Sequence, residues 1–300
     1  MAQRSRHLRW RPRAISAVAV LVVALAVGCQ IGPDDEPAAP GADAAQLLVT
    51  ADHGREELLR TSVSPGRSVL RTLQSETDVA TAFGGGFVNE MFERRSDGAG
   101  ARDWFYFVDG LLSAVGARQH TVSTGQSIWW DFRTWSAVRD PWAVVGAWPA
   151  PFAGREVSAD PPLRSALTLA GATAVDESAW RVRVGAEEDL ERREPSWRRA
   201  ADRPGQAGLA AVMDDGRIRA VSRSGDAYVP VANGVALAAT VPTGADHTKG
   251  VLMVVVGRRA VDAERAARRI LDQPTVLEDR YAVVFDRTGE PIFAAGQGPL

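Results

Sequence analysis

The chain contains a single cysteine, Cys29, among its 300 residues. One cysteine cannot form an internal disulfide, so the fold depends on its hydrophobic core. About 256 residues follow position 44, too many for one small core and suited to two domains of ordinary size. Prolines and glycines near residues 151–160 indicate a boundary there, and we predict one domain at 45–153 and another at 154–300.

The residues before Cys29 have the three parts of a secretory signal. Five arginines lie between positions 4 and 13, an apolar run covers residues 14–27, and small residues precede the cysteine. The apolar run is shorter than the roughly 20 residues that a membrane-spanning helix needs. We therefore predict a signal peptide at residues 1–28.

The segment Leu25-Ala-Val-Gly-Cys29 resembles the lipobox cut by the lipoprotein signal peptidase. The resemblance implies a lipid on Cys29, which would hold the protein on the extracytoplasmic face of the cell membrane. An Ala-x-Ala site at residues 24–26 is the alternative, and cleavage there would release a soluble protein. Residues 30–44 contain three prolines and no periodic apolar pattern, so we predict that residues 29–44 are a lipidated cysteine followed by a flexible tether.

The charge of the exported part limits its partners. Removing the signal leaves 30 basic against 37 acidic residues, a formal net charge of −7. This balance argues against a nucleic-acid partner, which would need a basic surface. It argues equally against electrostatic docking to anionic lipid, which leaves the lipid on Cys29 as the predicted link to the membrane.

The first domain is predicted to be an α+β roll. Ser64-Pro65 is a helix-start signal, and Asp109-Gly110 between apolar runs indicates a tight turn. Aromatic and β-branched residues predict the surrounding strands. The predicted elements are strands at 47–51, 58–63, 87–92, 104–108 and 127–133, with a helix at 66–75. This order places one helix on a mixed sheet.

The second domain is also predicted to be α+β, and two of its segments are similar to each other. Residues 181–221 and 252–295 each show a strand, a helical stretch rich in Arg and Glu, and a strand-turn-strand. We interpret them as two βαββ repeats that pair into one sheet with their helices on one face. A chance match of two similar patterns is the alternative.

An aromatic stretch in the first domain supplies the candidate binding residues. Six of the nine tryptophans lie between residues 103 and 152. Because side chains alternate across a strand, Trp104 and Tyr106 share one face, while Trp129 and Trp130 point to opposite faces. A sheet packed against one helix buries only one face, so some rings need the second domain, another protein or a flat ligand as a partner. The candidate ligand-binding residues are Trp104, Tyr106, Trp129, Trp130, Asp131 and Trp135.

Asp131 lies between two aromatic residues and needs a polar partner if it is buried. Arg133 or a backbone amide is the expected partner, and packing in the core or the domain interface is the alternative to ligand binding for the aromatic set as a whole.

Residues 47–133 resemble the transcobalamin C-terminal-like family, a β-grasp domain that in bacteria is largely of unknown function. The most specific parts are Trp104-Phe-Tyr-Phe-Val-Asp-Gly110 and Gly125-Gln-Ser-Ile-Trp-Trp-Asp131. In transcobalamin-like vitamin carriers this domain closes over one side of a corrinoid. The resemblance therefore implies a β-grasp fold and a corrinoid, or another flat cofactor, as the ligand to test first.

Motifs for enzymatic chemistry are missing from the sequence. There is no Gly-x-Ser-x-Gly or Ser-x-x-Lys, and Gly84-Gly85-Gly86 lacks the lysine of a phosphate-binding loop, which favours a turn or bulge. His53, His120 and His247 have no second ligand at metal-binding spacing. We therefore predict no catalytic residues, no metal and no resident cofactor.

The predicted function is that of a non-enzymatic, membrane-anchored lipoprotein that binds a small molecule, for uptake through a transporter. A structural or protein-interaction module of the cell envelope is the first alternative, and it predicts a flat apolar patch in place of a cleft. A hydrolase acting on envelope polymer is the second alternative.

Overall fold

Two sheets and a helix form from residues 45–134. The computed structural model describes residues 44–97, 99, 101–135, 141–221 and 228–294, so the predicted signal peptide, Cys29 and the tether up to residue 43 lie outside the described residues. The elements of this first half are β1 (Ala45–Ala51), β2 (Glu56–Val63), α1 (Val69–Glu76), β3 (Ala80–Ala82), β4 (Phe87–Met91), β5 (Arg94–Arg95), β6 (Arg102–Val108), β7 (Leu111–Leu112) and β8 (Ser127–Thr134).

The N-terminal sheet has five strands in the order β2-β1-β8-β6-β7. β1 pairs parallel with β8, and the other neighbours are antiparallel. α1 packs on one face of this sheet through Val69, Leu70 and Leu73. The predicted helix on a mixed sheet is confirmed. The strand predicted at 87–92 forms as β4 but lies outside this sheet, because it pairs with β3 and β5 in a separate small sheet.

α1 begins three residues after its predicted start at Gly66. The Ser68 hydroxyl accepts a hydrogen bond from the Arg71 N–H at 3.3 Å, which caps the first turn of the helix. Gly66 has φ of +95° and lies in the turn before this cap. The prediction was wrong at this end because the side-chain cap, and not the preceding proline, determines where the helix begins.

The second half of the chain builds a larger sheet. Its elements are β9 (Glu156–Ala159), α2 (Pro161–Leu169), β10 (Thr173–Ala174), β11 (Arg181–Ala186), α3 (Glu187–Arg193), α4 (Pro195–Asp202), β12 (Ala211–Asp214), β13 (Arg217–Val221), β14 (Tyr228–Pro230), β15 (Ala236–Pro242), β16 (Val251–Gly257), α5 (Ala260–Asp272), β17 (Val283–Phe285) and β18 (Pro291–Ala294). The C-terminal sheet has the order β10-β9-β11-β16-β15-β17-β18, and β12-β13-β14 form a separate sheet.

Both faces of the C-terminal sheet are covered, which explains why every residue of β16 is buried. Val251, Met253 and Val255 face the core that contains α2 and α5. Leu252, Val254 and Val256 face the core that contains α3, α4 and the β12-β13-β14 sheet.

The two segments interpreted as repeats share an element order but not a placement. β11 pairs parallel with β16, as expected for paired units. The expectation of one sheet is wrong for the hairpin of the first unit, because β12 and β13 lie in a separate sheet, whereas β17 and β18 belong to the C-terminal sheet. The expected helix arrangement is wrong, because α5 lies on one face of the sheet and α3 with α4 on the other. Arg181 and Arg183 project from β11 to Glu194, between α3 and α4, at 3.0 and 2.8 Å, and these ion pairs hold α3 and α4 on that face. The duplication stays a prediction.

The second face of the N-terminal sheet packs against the second half of the chain. Leu48, Phe107 and Trp129 share a core with Leu237 and Tyr281. The described residues belong to one compact unit, and the domain boundary between 153 and 154 stays a prediction. None of the helices in the described part of the chain is both long and apolar enough to cross a membrane.

Candidate functional site

The aromatic strands divide their side chains between two cores, as alternation predicts. Trp104, Tyr106 and Trp130 lie in the core beneath α1. Trp129 lies in the core shared with the second half of the chain. The predicted opposite orientation of Trp129 and Trp130 is confirmed, and the candidate binding residues therefore do not form one site.

A cleft of about 410 Å³ opens on the α1 side of β6. We call it the aromatic cleft. It lies between the start of β4 and the segment that follows β7, with β6 as its floor. Its lining residues are Gly86, Phe87, Val88, Asp103, Trp104, Phe105, Tyr106, Leu112, Ser113, Ala114, Val115, Gly116, Ala117 and Trp130.

The floor of the aromatic cleft is a rigid aromatic layer. The Tyr106 and Trp130 rings stack with centroids 4.8 Å apart, and the Trp104 and Phe132 rings are 4.9 Å apart. Such offset ring pairs contribute about 0.5–1.5 kcal/mol beyond the area they bury. Trp104, Tyr106 and Trp130 are all buried, so only a small part of their surface is open to the cleft.

The mouth of the cleft carries two exposed phenylalanines. The Phe87 side chain is 64% exposed and Phe83 is 88% exposed. Their rings make a T-shaped contact at 5.7 Å. Phe83 was not among the predicted binding residues, although the pattern Phe-Gly-Gly-Gly-Phe at residues 83–87 could have indicated it.

The glycines between these rings have a backbone role. Phe83, Gly84 and Gly85 have φ of +51°, +67° and +86°, a left-handed run that favours glycine. The Arg118 guanidinium donates a hydrogen bond to the Gly84 carbonyl. The turn expected at this glycine run is confirmed, and it projects both phenylalanine rings to the surface.

The Tyr106 hydroxyl links β6, the floor of the cleft, to the segment that follows β7. Its hydroxyl donates to the Val115 carbonyl at 2.5 Å and accepts from the Ser113 hydroxyl at 2.6 Å. Burial raises the pKa of Tyr106 above its ordinary value of 10.0, so the hydroxyl keeps its proton at neutral pH. The Tyr106 and Ser113 hydroxyls are therefore hydrogen-bonded within the wall of the cleft.

Asp131 lies on the opposite face of β8 in a buried set of donors that we call the carboxylate cluster. Its oxygens accept from the Thr50 hydroxyl at 2.7 Å, the Tyr281 hydroxyl at 2.9 Å, and the N–H groups of His53 and Gly54 at 3.1 and 3.2 Å. The backbone-amide partner expected for Asp131 is confirmed. Tyr281, 150 residues away in sequence, was not predicted.

The side chains of the carboxylate cluster are hydrogen-bonded to one another. Burial raises the pKa of Asp131, while the Thr50 hydrogen bond and the Arg133 charge act in the opposite direction. Burial and the charge of Asp131 raise the pKa of Tyr281 well above 10.0, so Tyr281 remains a donor. The Trp129 indole N–H donates to the Thr50 hydroxyl at 2.8 Å. Neither Trp129 nor Asp131 lines the aromatic cleft.

Trp135 lies outside both groups. It is half-buried after the end of β8, and its backbone N–H donates to the Ala101 carbonyl at 2.8 Å. It does not line the aromatic cleft. The structure therefore brings Trp104, Tyr106 and Trp130 to the cleft, places Trp129 and Asp131 in the carboxylate cluster, and leaves Trp135 apart.

Metal ligands do not cluster in the part of the chain that the structure describes. Within those residues no three His, Cys, Asp or Glu side chains are grouped to hold an ion.

Comparison with known proteins gives a family match over part of the chain. Residues 66–134 match the model of a family described as a domain of unknown function, DUF4430. This segment runs from the turn before α1 to the end of β8 and includes the whole lining of the aromatic cleft. No curated protein matches the chain.

Among solved structures, the chain is similar to the crystal structure of a protein from Ruminococcus gnavus ATCC 29149 that is named as a candidate metal-binding protein. The two are 18% identical, and the match covers 31% of this chain and 97% of the other, with a TM-score of 0.27.

Proposed function

We propose that the protein is a non-enzymatic, extracytoplasmic lipoprotein, anchored through Cys29, that binds a flat apolar molecule in the aromatic cleft. The observation that carries the proposal is the apolar cleft itself, with an aromatic floor and the exposed Phe87 ring at its mouth. Small-molecule sites are concave and lined mainly by hydrophobic and aromatic side chains.

Size and surface chemistry limit the ligand. Ligand sites usually enclose about 300–1,000 Å³, and the cleft of about 410 Å³ is at the small end. A planar ligand of one or a few fused rings fits this volume, whereas a corrinoid would enter only by an edge. Covering exposed apolar surface contributes roughly 25 cal/mol per Å², which favours a ligand that also covers Phe83 and Phe87.

The topology of the N-terminal sheet supports the β-grasp part of the proposal. A hairpin of β1 and β2 is followed by α1, and the last strand, β8, pairs parallel with β1 in the centre of the sheet. The resemblance to the transcobalamin C-terminal-like family rests on β6 and β8, and both of these strands line the cleft. A corrinoid or another flat cofactor therefore remains the first ligand class to test, with delivery to a membrane transporter as its use.

A ligand panel tests the proposal directly. Residues 30–300, which include every residue that the structure describes, would be titrated with cobinamide, cobalamin and planar aromatic compounds while tryptophan fluorescence and co-elution on gel filtration are followed. We expect one class to bind, with affinity at least tenfold weaker in Phe87→Ala. Leu169→Ala is the matched control, because Leu169 is 90% exposed and does not line the cleft.

The protein-interaction alternative is favoured by one observation, the 88% exposure of Phe83. Exposed apolar groups that touch each other mark contact sites. If no compound binds, and an envelope protein captured from detergent-solubilised membrane is lost with Phe83→Ala, the cleft proposal is wrong and the interaction module takes its place.

The proposed lipid anchor on Cys29 can be tested separately. We expect the native chain to partition into the detergent phase of a Triton X-114 extraction and Cys29→Ser to appear in the aqueous phase. Equal partitioning of the two chains would show that Cys29 carries no lipid and would favour cleavage after residue 26.

A further inference from the structure

A second cleft lies in the other half of the chain, away from the residues that line the aromatic cleft. It encloses about 380 Å³ between the C-terminal part of α4 and the turn that follows β15. We call it the arginine cleft. Its lining residues are Ser196, Arg199, Ala200, Arg203, Gln206, Ala207, Val241, Pro242, Gly244 and Ala245.

The arginine cleft is lined by two positive charges and by no acidic residue. Among the described residues, neither Arg199 nor Arg203 forms an ion pair with a carboxylate, whereas Arg181 and Arg183 on nearby β11 both pair with Glu194. Arg199 lies in the last turn of α4, and Arg203 directly follows the helix with non-helical backbone angles. A bound anion would compensate the two positive charges.

Ser196 connects the two sides of the arginine cleft through hydrogen bonds. Its side chain is buried, with 7% of the residue exposed, and its hydroxyl donates to the Thr243 carbonyl at 3.3 Å. The Arg199 guanidinium donates to the same hydroxyl at 3.4 Å. These two hydrogen bonds join α4 to the turn after β15 and position the Arg199 guanidinium at the cleft.

We propose that the arginine cleft binds a small phosphate monoester. Guanidinium groups match phosphate oxygens with paired N–H donors, and Arg199 and Arg203 both line the cleft, as does Gln206. Val241 and Pro242 also line it, and a short apolar group on the phosphate would pack against them. The inference does not depend on the ligand of the aromatic cleft.

The chain offers a matched control for this site. Arg198 is exposed on the same helix, carries the same charge and does not line the cleft. Binding of inorganic phosphate and of phenyl phosphate to residues 30–300 would be measured by calorimetry at constant ionic strength. Circular dichroism would confirm that each variant is folded.

We expect saturable binding of both probes, weaker by tenfold or more in Arg199→Gln, abolished in the Arg199→Gln/Arg203→Gln double variant, and unchanged in Arg198→Gln. Tighter binding of phenyl phosphate than of inorganic phosphate would support the apolar wall. An equal loss in Arg198→Gln would show that only net charge matters, and either that result or no binding by the native chain would overturn the proposal.

The phosphate group could belong to a soluble compound or to a lipid. Vesicles of phosphatidylcholine with and without phosphatidic acid, sedimented with residues 30–300, distinguish these sources. Sedimentation that requires phosphatidic acid and is lost in the double variant would assign a lipid headgroup. Phenyl phosphate binding without sedimentation would assign a soluble ligand.

Discussion

Replacing Tyr281 by phenylalanine removes one hydrogen bond from a buried carboxylate. The Tyr281 hydroxyl lies 2.9 Å from Asp131 Oδ2, and both residues are buried. Hydrogen bonds to charged groups contribute roughly 1.5–3 kcal/mol. All four groups that contact the Asp131 carboxylate are donors, so they stabilise its ionised form. We therefore expect Tyr281→Phe to lower the free energy of unfolding by about 2 kcal/mol.

Tyr106→Phe is the internal comparison. The Tyr106 hydroxyl donates to the neutral carbonyl of Val115 and accepts from the Ser113 hydroxyl. Because the Ser113 hydroxyl also donates to the Val115 carbonyl at 3.0 Å, it keeps a partner in Tyr106→Phe, and the net loss is that of one neutral hydrogen bond, about 1 kcal/mol. Both variants remove one tyrosine oxygen without removing a ring. Urea unfolding at pH 8, followed by tryptophan fluorescence, would measure the two free energies under the same conditions.

The pH dependence of the loss of stability in Tyr281→Phe tests whether the Asp131 carboxyl is charged. Burial raises the pKa of Asp131 above its ordinary value of 3.8. The carboxyl is therefore neutral in acid and charged only when the pH exceeds the raised value, and the Tyr281 hydrogen bond is strongest to the charged form. The penalty of Tyr281→Phe should grow as the pH rises. Two results would refute a charged Asp131. One is a loss of stability in Tyr281→Phe that is no larger than that in Tyr106→Phe at pH 8. The other is a loss in Tyr281→Phe that is the same at pH 4 and pH 8.

Two further predictions concern other parts of the fold. A Cβ on Gly146 would lie 2.5 Å from the backbone nitrogen of Arg280, so Gly146→Ala should destabilise by roughly 1–3 kcal/mol. Gly244→Ala, where a Cβ meets nothing within 4 Å, should be neutral or slightly stabilising in the same thermal unfolding assay. Arg259 holds the pKa of Asp262 below 3.8 through hydrogen bonds of 2.9 Å. The stability that this carboxylate contributes is present above pH 3.8 and is lost as the pH falls through the lowered pKa. Unfolding curves of the native chain and Asp262→Asn should therefore converge in acid, and a constant gap between them would contradict the ion pair.

Local patterns predicted the N-terminal sheet well. Strand alternation alone placed Trp129 and Trp130 on opposite faces, because a period of two residues is a property of the strand itself. The same reasoning grouped Trp104 with Tyr106, which now share the floor of the aromatic cleft.

Long-range contacts could not be predicted from these patterns. Nothing near Asp131 in the sequence indicates that Tyr281 reaches it, since the contact depends on how two sheets meet. The predicted placement of α3 and α4 was wrong for a similar reason, because their positions depend on long-range contacts. Leu190 and Trp197 pack into the core on that face, and Arg181 and Arg183 form ion pairs with Glu194. The exposure of Phe83 and Phe87 also depends on the left-handed backbone between them.

The late position of Tyr281 has a consequence for folding. A chain emerging from its N-terminus presents Asp131, Phe107 and Trp129 long before the residues that cover them are made or exported. Until Tyr281 has been made and packs on this face of the N-terminal sheet, the apolar side chains around the Asp131 carboxylate are exposed to water. A fragment that ends at residue 153 should therefore self-associate, and folding of the N-terminal half should be completed only when the C-terminal half docks.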